Sequence, residues 1–226
     1  MGDPRDQHGA RRPLRSRNIV VFQRLATGLG RSGVAPNAIS VLSMAFAAGA
    51  GAALAATSWT EGGLLRGCWL LAAGLIQLRL LANMLDGMVA MESGRASPVG
   101  ELYNEAPDRI SDAAILIGAG FATGGEPWLG WLAAIIALLV AYLRALGAAA
   151  GAGQAFHGPM AKPHRMFAIT IVCLYCAATP AAWQPIDSPT GWGLAAWMLV
   201  IIIAGGLLTL ARRWRWITMR LRERGP

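Results

Sequence analysis

Residues 83–112 of the chain read NMLDGMVAMESGRASPVGELYNEAPDRISD, and this stretch decides how the rest of the sequence is interpreted. It gathers acids, amides and glycines, although an apolar run precedes it and another apolar run follows it. Ionisable groups placed among membrane-length apolar segments are energetically costly and usually mark functional sites. The stretch therefore raises the question of what polar chemistry such an apolar chain performs there.

The chain as a whole is far more apolar than a soluble domain of its size. Of its 226 residues 55% are hydrophobic and only 14% are charged, against about 25% charged residues in soluble domains. Several apolar stretches approach or exceed the ~18 residues that indicate a transmembrane helix. Because a soluble bundle could not bury so much apolar surface, the sequence predicts an all-α integral membrane protein.

The apolar stretches predict six transmembrane helices preceded by an amphipathic interfacial helix. Residues 19–33 mix apolar and basic side chains at helical spacing, which is typical of a helix lying on the membrane surface. The first span begins at Pro36, where Asn37 and Ser40 can satisfy the free N–H groups of its first turn. The six spans are predicted over residues 36–56, 64–90, 101–122, 128–151, 166–182 and 194–211.

Charge divides the chain into one membrane domain with two basic ends. Residues 1–17 are expected to be a disordered basic tail, residues 18–211 a single six-helix domain, and residues 212–226 a basic C-terminal tail. The net charge of +8 flanks apolar spans, which favours anionic lipids rather than nucleic acid as partners. The positive-inside rule predicts cytoplasmic termini, with the polar stretch and Lys162 on the same side, in a bacterial cytoplasmic membrane.

Two sets of polar residues have spacings that place them on helix faces. Asn83 and Asp86 are three residues apart near the end of the second span, so their side chains share a face. The second set follows at intervals of four residues: Gly100, Asn104, Asp108 and Asp112. Oxygen ligands from two such faces would suit a hard divalent cation such as Mg²⁺ or Mn²⁺. The alternative interpretation is that these acids belong to a solvated loop.

Gly87 directly follows Asp86, although glycine costs about 1 kcal/mol relative to alanine inside a helix. A ligand that needs close approach to the backbone would explain its presence. Ala90, three residues further on, keeps the same face small. These small residues beside a carboxylate suggest a nucleotide or phosphate lying against the helix.

The same residues resemble the signature of the CDP-alcohol phosphotransferases, also called CDP-alcohol phosphatidyltransferases. That pattern is Asp, two residues, Asp-Gly, two residues, Ala-Arg, eight residues, Gly, three residues, Asp, three residues, Asp. The resemblance extends over about residues 19–210, and six spans is the fold that it implies. The matching positions are Asp86, Gly87, Ala90, Gly100 and Asp108.

Three positions depart from this signature and place the chain in a divergent subfamily. Asn83 and Asn104 replace aspartates, and Met91 replaces the arginine. Asp112, one turn beyond the signature, can restore part of the missing negative charge, and Arg95 or Arg109 can take the place of the missing arginine. The departures leave open whether one or two metal ions bind, and whether the protein is active.

The resemblance implies an enzyme that transfers a phosphatidyl or other substituted phosphoryl group from a CDP-alcohol to a hydroxyl acceptor and releases CMP. CDP-diacylglycerol is the expected donor, and a homodimer is expected. Mg²⁺ or Mn²⁺ would bind the diphosphate, and Asp108 would act as general base. The implied metal ligands are Asn83, Asp86, Asn104 and Asp108, with Asp112 as a further candidate.

The remaining predicted site residues concern the two substrates. Four residues are expected to bind the nucleotide: Gly87, Ala90, Gly100 and Arg95. Four basic residues are candidates for binding the acceptor or a phosphate: Lys162, Arg165, Arg109 and Arg144. For Arg144 and for Arg79, pairing with an acid of the cluster is an alternative, as is extension towards the membrane interface.

Two other functions remain compatible with the sequence. The asparagine substitutions are compatible with a catalytically inactive relative that acts as a membrane binding or scaffold protein. The acids within an apolar chain are compatible with a small transporter, although they lie at one edge of the membrane.

Overall fold

The structure, a computed structural model of the chain, describes residues 20–32, 35–92 and 98–223. Within these ranges the chain forms α-helices joined by short connections and no strand, so the predicted all-α class is confirmed. Two short 3₁₀ segments lie in connections, at Thr57–Trp59 and Ala181–Trp183. The helices are α1 Val20–Arg31, α2 Pro36–Ala56, α3 Gly62–Glu92, α4 Pro98–Gly120, α5 Pro127–Ala149, α6 Lys162–Ala178 and α7 Leu194–Glu223.

The six longer helices pack in a ring in the order α2, α3, α6, α7, α5, α4, and α4 also contacts α3 and α7. Helices that follow one another along the chain run in opposite directions, so the starts of α2, α4 and α6 lie on the same side as the ends of α3, α5 and α7. The polar residues singled out in the sequence belong to that side. A buried apolar core fills the ring and includes Leu54, Trp69, Ile76, Ile115, Leu116 and Ile202.

Four helices of the ring are long and apolar enough to cross a membrane: α2, α3, α5 and α7. The other two differ for separate reasons. The first half of α4 carries the acids and the arginine of the predicted site. Helix α6 has 17 residues, and so is about 26 Å long, less than the ~30 Å hydrocarbon core of a bilayer.

The bounds of two helices, α6 and α7, differ most from the prediction. Helix α6 begins at Lys162 rather than at residue 166, with a proline in its first turn, where a missing N–H costs nothing. Helix α7 continues to Glu223, so most of the predicted basic C-terminal tail is helical. Arg213, expected in that tail, is buried. The predicted N-terminal tail, residues 1–17, lies outside the described residues.

Helix α1 packs on the ring through its apolar face. Phe22 and Leu29 contact a buried cluster that includes Ile39 of α2 and Val89 of α3. Of its polar side chains, Gln23, Arg24 and Thr27 are exposed. The amphipathic helix predicted for residues 19–33 thus forms over Val20–Arg31, with α3 as its main contact.

Glycine allows α2 and α4 to approach closely at the centre of the ring. A Cβ atom added to Gly118 would lie 2.4 Å from the carbonyl oxygen of Gly51 and 2.5 Å from its Cα. A Cβ atom on Gly51 would lie 2.4 Å from the carbonyl oxygen of Ala114. Small residues at such crossings permit the backbone contacts that stabilise membrane helix bundles.

Substitution of Gly118 by Ala is therefore expected to lower the free energy of unfolding by about 1–3 kcal/mol, because two backbones must separate. The matched control is Gly67→Ala, where an added Cβ meets nothing within 4 Å. That control should be neutral or stabilised by up to ~1 kcal/mol through helix propensity. Thermal unfolding of both purified variants in detergent tests this, and equal melting temperatures would contradict the proposed close contact.

Candidate active site

Residues from six helices line a cavity of about 940 Å³ on the polar side of the ring. Apolar residues of α1, α3 and α5 form part of its wall, and acids and cations form the rest. The structure therefore brings together predicted site residues that lie up to 82 positions apart in the sequence, from Asn83 to Arg165. The predicted site residues that line it are Asn83, Asp86, Gly87, Asp108, Arg109, Arg144, Lys162 and Arg165.

Asp86 lies in the last two turns of α3 and is 2% exposed. Its Oδ2 accepts a hydrogen bond from Ser40 Oγ at 2.6 Å. The sequence suggested Ser40 as a partner for the free N–H groups of the first turn of α2. The N-cap of α2 is Ala35 without a side-chain hydrogen bond, and the packing of α2 on α3 turns Ser40 towards the carboxylate instead.

Asp108 lies in the third turn of α4, and each of its carboxylate oxygens contacts a cation. Arg79 Nη2 of α3 is 3.1 Å from Oδ1, and Lys162 Nζ of α6 is 2.6 Å from Oδ2. Asp86 and Asp108 both line the cavity. Arg79 of α3 and Lys162 of α6 thus hold the Asp108 side chain at the wall of the cavity that Asp86 also lines.

Asp112 is also engaged by two cations but lies deeper in the ring. Its Oδ1 is 3.0 Å from Arg79 Nη2, and its Oδ2 is 2.7 Å from Arg165 Nη2. Its side chain is 3% exposed and that of Arg79 is 0% exposed. Residues four apart advance about 6 Å along a helix and rotate by about 40°, since each residue turns ~100°. The four-residue ladder therefore carries Asp112 below the cavity that Asp108 faces.

Glu105 holds two of the predicted phosphate-binding arginines. One carboxylate oxygen contacts Arg109 Nη2, and the other lies 2.6 Å from Arg144 Nη2. Arg144 also donates to Gln154 Oε1 at 3.1 Å and lies over the ring of Phe156. Of the two alternatives considered for Arg144, pairing with an acid is the one seen.

The sequence analysis missed Arg213 as a residue of this cavity. It lines the cavity from α7 and is 4% exposed. Its Nη1 donates to the carbonyl of Val140 at 2.6 Å and its Nε donates to the carbonyl of His157 at 3.0 Å. The one feature of the sequence that could have indicated this role is that Arg213 follows an apolar span at helical spacing.

Ala90, a further predicted nucleotide residue, is half-buried on α3 and is not among the described residues that line the cavity. Arg95 lies outside the described residues, and so does the side chain of Asn104, whose backbone is part of α4 together with Gly100.

Cations already engage two of the acids predicted to bind a divalent cation. Both oxygens of Asp108 and both oxygens of Asp112 face Arg or Lys nitrogens. Among the residues that the structure describes, no group of three or more His, Cys, Asp or Glu is arranged to hold a metal. Asp86 and Asn83 also line the cavity, and their carboxylate and amide oxygens are of the kind that Mg²⁺ or Mn²⁺ prefers.

Similar proteins support an assignment at the level of the family. The archaetidylinositol phosphate synthase of Aeropyrum pernix is 31% identical over 136 residues, which are 59% of this chain and 69% of that protein. The enzyme of the same name from Pyrococcus horikoshii is 32% identical over 110 residues, 48% of this chain and 57% of that protein.

Solved structures show the same fold. The crystal structure of Mycobacterium tuberculosis phosphatidylinositol phosphate synthase with CDP-DAG bound matches with a TM-score of 0.67 at 20% identity, over 88% of this chain and 94% of that one. The structure of that enzyme in complex with manganese and citrate matches with a TM-score of 0.65 at 20% identity, over 87% of this chain and 88% of that one.

The sequence model of one family, described as CDP-alcohol phosphatidyltransferase, matches residues 33–208. This match includes the whole polar stretch and extends from the start of the helix ring into α7. The chain therefore belongs to the CDP-alcohol phosphatidyltransferase family of integral membrane proteins.

Proposed function

We propose that the protein is an enzyme of phospholipid synthesis that transfers a phosphatidyl-type group from a CDP-alcohol to a phosphorylated alcohol and releases CMP. The donor is CDP-diacylglycerol or a similar CDP-linked lipid. The observation that carries this proposal is the placement of Asp86 and Asp108 in one cavity with four arginines and a lysine. The names of the two archaeal relatives and the CDP-DAG bound to a solved neighbour support it.

The reaction joins the acceptor hydroxyl oxygen to the phosphorus that carries the lipid. The bond between that phosphorus and the bridging oxygen breaks, and CMP leaves with the electron pair. The hydroxyl proton goes to Asp108, which Arg79 and Lys162 hold in position through separate oxygens. A base placed in this way typically accelerates the reaction by ~10²–10⁴-fold.

Asp86 and Asn83, with Asn104 from α4, would hold one divalent cation beside the donor diphosphate. Bound there, Mg²⁺ or Mn²⁺ supplies charge neutralisation to the diphosphate. Ser40 keeps the Asp86 carboxylate oriented through its 2.6 Å hydrogen bond. Gly87 lines the cavity and leaves room for the nucleotide. Ala90, Gly100 and Arg95 stay in the proposed nucleotide subsite on the basis of the sequence alone.

The acceptor is assigned a phosphate because several cations line the same cavity. The guanidinium group binds phosphate through paired N–H donors more specifically than a point charge does. Glu105 fixes two of these arginines in place before a ligand arrives. The cationic residues that line the cavity are Arg109, Arg144, Lys162, Arg165 and Arg213.

Substitution of Arg144 by Gln is expected to raise the KM for a phosphorylated acceptor by about 10–100-fold, the equivalent of one charge-assisted hydrogen bond. The KM for the CDP-alcohol should stay unchanged, because Arg144 is proposed to bind the acceptor and not the donor. The matched control is Arg212→Gln, which removes the same charge from an exposed position on α7. Equal effects of Arg144→Gln on both KM values would argue against an acceptor site here.

The proposal includes a membrane arrangement. The six helices of the ring span the bilayer, and α1 lies along its surface with its polar face towards the lipid headgroups. Both termini and the cavity face the cytoplasm of a bacterial cell, and two chains form a homodimer. Trp128 and Trp192, with ring centroids 6.2 Å apart at the other end of the ring, suit the opposite membrane interface.

The direct test is CMP release by the purified full-length protein with CDP-diacylglycerol, Mg²⁺ or Mn²⁺, and matched acceptors with and without a phosphate. Turnover that depends on the acceptor phosphate is the expected result. Absence of CMP with every donor and acceptor pair would favour the inactive binding protein to which Asn83 and Asn104 point. Solute flux in proteoliposomes without CMP release would favour a transporter.

A further inference from the structure

A glutamine lies at the midpoint of α3, one of the helices that are long and apolar enough to cross a membrane. Gln77 follows the run GCWLLAAGLI, residues 67–76, which carries no charge, hydroxyl or side-chain amide. Its side chain is exposed and lines the cavity of the candidate active site. Because an amide in apolar surroundings is costly unless it forms hydrogen bonds, this position requires polar partners.

The protein itself supplies one partner for Gln77. Its Nε2 donates to Thr170 Oγ1 of α6 at 2.9 Å, and Thr170 Oγ1 donates to the carbonyl oxygen of Met166 at 2.8 Å. Because the hydroxyl hydrogen of Thr170 is used in the second bond, its oxygen accepts from Gln77, and the amide nitrogen faces α6. This contact orients the amide and uses one of its two N–H groups. The second N–H can donate to a ligand in the cavity.

Gln77 lies deeper in the membrane than the proposed site for the donor diphosphate. Gln77, Leu80 and Asn83 all line the cavity at intervals of three residues, so they form one row along α3. The six residues from Gln77 to Asn83 correspond to a rise of about 9 Å. In a CDP-linked glycerolipid a few covalent bonds separate the phosphorus from the first atoms of each lipid chain, a length comparable to this rise. A donor whose diphosphate lies at Asn83 therefore places its chain linkages near Gln77.

The cavity wall around Gln77 suits the chains of a lipid. Leu78 and Leu81, its neighbours on α3, are apolar and line the cavity. Gly74, one turn further into the membrane, also lines it, and a Cβ atom added there would meet nothing within 4 Å. Of the cavity-lining residues between positions 74 and 81, Gln77 has the one polar side chain. Its amide is therefore positioned for the junction between the polar and apolar parts of a bound lipid.

We propose that Gln77 determines specificity for the chain linkage of the donor lipid, by donating its second N–H to an acyl carbonyl oxygen. The donor is then a CDP-linked lipid with ester-linked chains. An ether-linked analogue binds more weakly because it has no carbonyl oxygen to accept this bond. The inference rests on the proposed function, whose donor it specifies.

The test compares the affinities of CDP-diacylglycerol and of its dialkyl ether analogue with equal chain lengths. Both are titrated into the full-length protein in detergent by isothermal titration calorimetry, without an acceptor. The wild type should bind the diacyl compound about 3–10-fold more tightly, the equivalent of one neutral hydrogen bond. Gln77→Met, which keeps the length of the side chain but has no amide, should bind the two compounds equally, through weaker binding of the diacyl compound.

Three results would overturn the inference: equal affinities in the wild type, a wild-type preference for the ether, or an unchanged diacyl preference in Gln77→Met. Should Gln77→Met not fold, Gln77→Leu provides the same comparison, because it also removes the amide and keeps an apolar side chain. Its diacyl preference should likewise be lost.

Two further variants separate recognition of the linkage from a purely structural role of the contact between α3 and α6. Thr170→Val removes the interhelical hydrogen bond but keeps the amide, and should keep a preference for the diacyl compound. Leu78→Ala shortens the apolar wall beside Gln77 and should weaken binding of both compounds to the same extent. Complete loss of the preference in either of these variants would contradict recognition by the Gln77 amide.

Binding measured without turnover separates this inference from the proposed function. A protein that releases no CMP but shows a preference dependent on Gln77 supports the inference while the proposed transfer fails. A protein that releases CMP and binds both compounds with equal affinity keeps the proposed function and excludes the role of Gln77. Absence of binding of either compound would overturn both.

Discussion

Replacing Asp108 by Asn is expected to lower the rate of CMP release by about 10²–10⁴-fold, the contribution of a positioned general base. The amide has nearly the shape of the carboxylate but cannot take the proton of the acceptor hydroxyl. Asp108 lies at the cavity wall with its side chain 14% exposed, so the variant should remain folded. The measurement is the initial rate of CMP release at saturating donor and acceptor.

A matched control for this variant is Asp187→Asn, which changes an exposed aspartate in the connection between α6 and α7. Its activity should equal that of the wild type. Full activity of a well-folded Asp108→Asn protein would overturn the assignment of the base. It would leave Asp108 as the anchor for Arg79 and Lys162 only.

Replacing Asp112 by Asn is expected to cost about 3–5 kcal/mol of stability, because the buried guanidinium of Arg165 loses its counter-charge and that of Arg79 keeps only Asp108. Asp112 pairs with Arg79 at 3.0 Å and with Arg165 at 2.7 Å, and each of these side chains is at most 3% exposed. Buried cations that lose a partner are far more costly than exposed ones. Thermal unfolding of the purified variant in detergent measures this loss.

Removing Arg165 as well should recover part of that loss, so Asp112→Asn/Arg165→Met is expected to be more stable than Asp112→Asn alone. Were Asp112 instead a metal ligand, as the sequence also allowed, the single variant would keep its melting temperature and lose Mn²⁺ affinity. The two measurements together therefore decide whether Asp112 anchors helices or binds metal.

These two expectations differ although both residues are aspartates on the same helix, one turn apart. Asp108 contacts two cations at the edge of a cavity, whereas Asp112 contacts two cations inside the packed ring. A buried charge depends on its partners for stability because no water can replace them. A charge at a cavity wall remains available for chemistry, which is why the effects fall on stability in one case and on rate in the other.

Local sequence patterns were sufficient to predict the all-α membrane class and the helices that carry the site. Apolar stretches of membrane length predict helices wherever they occur, because hydrocarbon requires every backbone polar group to be satisfied within the segment. Proline at residue 36 predicted the start of α2, which is where it begins. The three-residue spacing of Asn83 and Asp86 and the four-residue spacing after Gly100 fall on α3 and α4 as helical periodicity requires.

The hydrogen-bond and ion-pair partners of the polar residues could not be predicted from local sequence patterns. Ser40 contacts Asp86 and Lys162 contacts Asp108 across 46 and 54 positions of sequence. Such pairs depend on how far each helix is rotated about its axis, and one residue changes that direction by ~100°. Sequence patterns predict which residues share a face of a helix, but they do not predict which neighbouring helix that face contacts.

The sequence by itself thus determined an all-helical membrane protein with a polar site between two of its apolar helices. Only the tertiary structure decided that Asp108 shares its oxygens with Arg79 and Lys162, and that Asp112 is directed into the ring rather than to the cavity. The physical reason is that helix formation and membrane burial follow from short-range periodicity, whereas charge pairing requires the position of α6 against α3 and α4. That position is set by the packing of the whole ring.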